Sequence, residues 1–114
     1  MTFKNNFSFF EKATSAGTSA VYQNKKSDSI TLQVHGSFAS ASATVEARTD
    51  IDAPFTAIAL IDLSNYGVIS DGAVTKAGRY AIGADGIREL RVVLNSVSGG
   101  DITVSGLATS TSEN

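Results

Sequence analysis

The sequence predicts an all-β protein, an antiparallel β-sandwich of jelly-roll or immunoglobulin-like type with about seven to nine strands. Three observations predict it. Short runs of alternating apolar and polar residues recur along the chain, as strands with one face on a core require. Clusters of glycine, serine and asparagine punctuate these runs like turns. Hydrophobic residues make up 42% of the chain and charged residues only 18%, a palette that suits pleated sheets with polar outer faces better than charged helices. Helix is expected to be nearly absent.

A chain of 114 residues corresponds to one domain, placed at residues 1–108, with residues 109–114 (TSTSEN) as a polar tail that has little to bury. The net charge of −2, with Lys25 and Lys26 as the only basic pair, argues against nucleic acid as a partner. Without cysteine the chain forms no disulfide and performs no thiol chemistry. The opening MTFKNNF has no apolar stretch behind a basic start, and no run approaches the roughly 20 apolar residues of a membrane helix, so neither a secretory leader nor membrane insertion is expected.

Four of the six phenylalanines, Phe3, Phe7, Phe9 and Phe10, fall in the first ten residues. This arm is either a first strand on the domain's own core or a contact to a neighbouring subunit. A small-residue turn at residues 13–19 precedes a short strand at Ala20 to Gln23, and the lysine pair sits in an exposed loop. Ile30, Leu32 and Val34 alternate with Thr31, Gln33 and His35, placing His35 on a solvated sheet face, where a lone histidine is more often a surface residue than a ligand or base. The next strand turns Val45 inward and Thr44, Glu46 and Arg48 outward, with surface ion pairing expected of the last two. Asp50 and Asp52, beside the single proline Pro54, read as turn aspartates, since no glycine and distal glutamate follow at calcium-loop spacing.

Residues 55–63 (FTAIALIDL) form the most continuously apolar run and predict a strand buried on both faces. A brief strand at Tyr66 to Ile69 follows. From Gly78 to Gly106 three alternating runs separated by glycine turns predict a meander closing one sheet, with residues 98–101 as a hairpin connection. The expected core is Leu32, Val34, Val45, Ile58, Leu90, Val92, Ile102 and Val104.

No Walker loop, dinucleotide fingerprint, H-E-x-x-H or G-x-S-x-G motif is present, and the single His35 makes a Ser-His-Asp triad improbable. No enzyme activity, cofactor or metal is expected. The runs LQVHGSF (32–38), ATVEAR (43–48), AGRYAI (77–82), LRVVL (90–94) and GDITVSG (100–106) together resemble small β-sandwich structural proteins of tailed-bacteriophage virions, in head-decoration, head-fibre or tail-associated roles. The resemblance implies a virion protein assembled in the host cytoplasm, with other copies of itself and capsid or tail proteins as partners and no catalytic residues. The phenylalanine arm and the two-faced strand exceed what one small core needs, which predicts a homo-oligomer, a trimer or symmetric array, with Phe3, Phe7 and Phe10 as first contacts. The competing reading is a carbohydrate-binding or host-adhesion module in which Tyr22 or Tyr66 stacks on a host-surface glycan.

Overall fold

The structure, a computed structural model, describes residues 3–25 and 27–110. These form twelve strands and no helix: β1 (Phe3–Ala13), β2 (Gly17–Thr18), β3 (Tyr22–Gln23), β4 (Ser29–Gly36), β5 (Ser40–Arg48), β6 (Thr56–Ala57), β7 (Leu60–Asp62), β8 (Gly67–Ile69), β9 (Ala73–Val74), β10 (Gly78–Gly83), β11 (Glu89–Ser98) and β12 (Ile102–Ser110). The count exceeds the expected seven to nine because β2 and β9 are two-residue strands too short to register as a periodic signal, and because the single strand expected over residues 55–63 is two, β6 and β7.

Two antiparallel sheets pack face to face. One runs in the order β1-β12-β4-β10-β7-β8, the other in the order β2-β11-β5-β6, with β3 also on β11 and β9 on β5. Between them lies the core. Ile30, Leu32 and Val34 of β4, Tyr80 and Ile82 of β10, and Ile102 and Val104 of β12 face Leu90, Val92 and Leu94 of β11 and the small inward stripe Ala41, Ala43, Val45 and Ala47 of β5. The alanines leave room for the larger side chains opposite, the interdigitation that dense packing requires.

Three expectations are corrected here. The runs between Gly78 and Gly106 are not a meander, since β10 and β12 belong to the six-stranded sheet and β11 to the other. Residues 98–101 therefore cross the end of the sandwich, with Gly99 (φ 74°) and Gly100 (φ 144°) taking the chain from sheet to sheet. Periodicity says which side of a strand is buried but not which sheet it joins, because both sheets bury the same kind of face. Residues 55–63 do not form one doubly buried strand. They change sheets, β6 pairing with β5 and β7 with β10, so Leu60 is buried while Ile58 is only half-buried and Ile61 is exposed. Finally, β12 runs through Thr109 and Ser110, two residues into the expected tail; residues 111–114 lie outside the described residues.

The amino-terminal arm takes the first of the two placements weighed above. β1 pairs along its length with β12, from Phe3 opposite Ser110 to Ala13 opposite Ile102, with bulges that turn both Phe9 and Phe10 toward the core. Gly106 of β12 leaves the space that Phe7 fills: a Cβ there would sit 2.5 Å from Phe7 Cζ. Phe7 meets Phe9 edge to face at 5.2 Å and stacks on Tyr22 at 3.9 Å, tying the β1 edge of one sheet to β3 of the other.

Candidate interaction surfaces

Three surfaces carry chemistry that the core does not explain. The first is a polar ladder on the outer face of β5 and β11. Register places Arg48 opposite Glu89 and Glu46 opposite Arg91. Arg48 Nε donates to Glu89 Oε1 at 2.6 Å and Arg91 Nε to Glu46 Oε1 at 2.8 Å, so each residue pairs across the strands and not with its neighbour on β5. The Phe55 ring lies against both guanidinium groups, at 4.5 Å from Arg48 and 4.2 Å from Arg91, and Arg48 also donates to the Ala53 carbonyl. Within that loop Asp50 Oδ1 accepts from the Asp52 amide, the turn role expected of these aspartates. Among the described residues no group of three His, Asp or Glu could hold a metal.

Glu89 is buried, and the Gln23 side-chain amide and the Arg48 guanidinium, both donating to it, hold its carboxyl below the ordinary glutamate range. A group whose folded pKa is depressed stabilises fully above its unfolded value and loses that contribution as the pH falls through the folded one. The Glu89→Gln variant is therefore expected to unfold at lower denaturant than the parent at pH 7. The gap should close as the pH drops below about 4.3. A gap that is constant with pH, followed by denaturant titration, would show that the charge of Glu89 plays no part.

The second surface is the β7–β8 hairpin at the edge of the six-stranded sheet. Its loop is held by its own polar groups: Asp62 Oδ1 accepts from the amide and hydroxyl of Ser64, lowering the Asp62 pKa, Asn65 Oδ1 accepts from the Gly67 amide at 2.7 Å, and the Tyr66 amide donates to the Asp62 carbonyl at 2.7 Å. This network fixes Tyr66 at φ 59°, a left-handed conformation uncommon for a non-glycine residue, with 78% of its surface exposed. Beside it Val68 is 71% exposed and Ile61, opposite it in register, 42%. β8 has β7 as its one sheet partner among the described residues, so its far edge is open.

The third is the outer face of β1, β12, β4 and β10, where His35 is exposed as expected. Depressions of about 500 and 530 Å³ adjoin there and share Ser105.

The residues singled out from the sequence scatter. Phe7 and Phe10 are packed against the chain's own core, Phe3 opens β1, and its side chain lies outside what is described. One face of the Tyr22 ring is covered by Phe7, whereas Tyr66 is open. Nothing in the sequence singles out Val68 and Ile61: a three-residue strand is too short for alternation to reveal which face it leaves uncovered.

Sheet order and register define the class: a two-sheet antiparallel β-sandwich protein. A solved structure described as the SPBc2 prophage-derived protein YomS superposes with a TM-score of 0.88 at 22% identity, covering 96% of this chain and 96% of that one. Another, described as the PBSX exported protein XepA, gives 0.89 at 20% identity, where this chain spans 38% of the other's length. A model of the XepA family matches residues 3–108, and the chain belongs to that family. No curated protein sequence matches it. The resemblance to small β-sandwich phage proteins thus holds for the fold.

Proposed function

We propose that the protein is a non-enzymatic phage structural component that acts by associating with itself and docking on a particle, as a capsid decoration, head fibre or tail-associated protein. Its place would be the virion, a reading supported by its likeness to a prophage-derived protein and to an exported protein. One observation carries the self-association: the open β8 edge with Val68, Ile61 and Tyr66 exposed beside it. An edge with apolar side chains beside unpaired backbone is a template for another chain, and a second copy supplies the same surface in every subunit. The expected interface therefore moves from the phenylalanine arm to this hairpin.

Sedimentation at tens of micromolar tests it. The parent is expected to sediment as an oligomer and the Ile61→Ser/Val68→Ser double variant as a folded monomer, whereas Phe7→Ser should lower stability through loss of the aromatic cluster. A monomeric parent that also fails to co-sediment with phage particles overturns the proposal. The host-adhesion reading keeps one supporting residue, Tyr66, whose ring is free to stack on a sugar.

A further inference from the structure

The outer face of β1, β12, β4 and β10 is built differently from the hairpin edge. Register aligns Ser8, Ser105, Gln33 and Arg79 in one row across the four strands, with Thr103 and His35 opposite each other in the next. The two depressions over these rows meet at Ser105 and form one groove along the strands. Its lining is hydroxyl, amide and basic; the one large apolar side chain is Leu107, half-buried.

Charge and satisfaction both set this groove apart. Lys12 and Arg79 line it against Glu11 alone, with the His35 imidazole beside them, on a chain whose net charge is −2. Arg48 and Arg91 each hold a carboxylate and a phenyl ring, yet the side chains of Arg79, Gln33 and His35 have no partner among the described residues. Lys12 sits at φ 52° on a bulge of β1, its amide donating to Thr103 Oγ1 at 3.1 Å, so backbone strain is held where the strand meets the groove.

The geometry points to a binding groove for an acidic glycan. A hydroxyl- and amide-lined channel fits a ligand that is itself rich in hydroxyls. It lacks the aromatic and aliphatic anchors in which protein interfaces concentrate their energy. It also lacks the aromatic platforms on which neutral sugars and single-stranded bases stack, and its few cations are too sparse for a nucleic-acid backbone. Affinity must then come from charge-assisted hydrogen bonds, for which the planar fork of Arg79 matches a carboxylate or phosphate on the sugar.

Titration calorimetry with hexagalacturonate, phosphorylated dextran and plain dextran tests the groove. Binding is expected for at least one acidic probe and not for plain dextran, weakening as salt rises. Which acidic probe binds tells carboxylate from phosphate recognition. Arg79→Ala should weaken it by about tenfold or more, as loss of one charge-assisted hydrogen bond implies, and Arg79→Lys should restore only part. Arg79 is exposed, so unchanged thermal unfolding of both variants excludes loss of fold as the cause. The Ile61→Ser/Val68→Ser variant should bind as the parent does, which separates this groove from self-association. Equal binding of plain dextran, no binding of either acidic probe, or indifference to Arg79→Ala overturns the proposal.

Discussion

Replacing Leu90 by alanine is expected to cost about 2–5 kcal/mol of folding stability, the range for removing a leucine from a core that relaxes only in part. Leu90 has none of its surface exposed. It lies where β11 is paired on both sides, opposite Ala47 of β5 and Tyr22 of β3, so both flanking backbones are held in hydrogen-bonded register. The neighbour across to β5 is itself an alanine and offers no longer side chain to swing into the void. Equilibrium denaturation should show a lower midpoint with an unchanged slope, the sign that stability and not compactness has changed. A loss below about 1 kcal/mol would place Leu90 outside the core, since burying a leucine is itself worth more.

The Gly36→Ala variant is expected to be at least as damaging, at about 2–6 kcal/mol, because backbone strain of about 1–3 kcal/mol adds to overpacking of about 1–3 kcal/mol. Gly36 ends β4 at φ 145°, a conformation L side chains rarely adopt. A Cβ there would lie 2.2 Å from the Asp101 carbonyl oxygen, and backbone cannot swing aside as a side chain can. That same oxygen accepts from the Ser37 amide at 3.1 Å, so relief of the clash breaks the bond joining the two crossings at this end of the sandwich. Gly83→Ala is the control: nothing lies within 4 Å of its added Cβ, and the change should leave stability within about 1 kcal/mol of the parent. Equal midpoints for the two variants would show that the Gly36 clash is relieved without cost.

Much of the sandwich is legible in the sequence where a strand is long enough to repeat its pattern. Leu32 and Val34, Leu90 and Val92, and Ile102 and Val104 are buried as their alternation requires. Ile58 is the exception among the core residues, because the continuous apolarity of residues 55–63 hides a change of sheet between β6 and β7. Pairing is illegible for a different reason: nothing local distinguishes a glycine turn that reverses a strand within its sheet from one that carries it to the other. Of the surfaces, Tyr66 was readable from its turn context, but Val68 and Ile61 became a patch only through cross-strand register. Arg79 was likewise anonymous until β4 and β12 placed Gln33 and Ser105 beside it.

The position of β12 between β1 and β4 bears on how the molecule comes to be folded. Segments that are neighbours in the sheet lie about a hundred residues apart in the chain, Phe3 meeting Ser110, so the larger sheet cannot grow by successive hairpins. Each such closure meets its entropy cost before any contact compensates it, which makes folding slow for a domain of this size. Until β12 has emerged, β1 and β4 each present an unpaired edge, and nascent copies made side by side are exposed to pairing with one another. In a cell producing many copies at once, the crowding of such unfinished chains bears on the yield of folded protein alongside native stability.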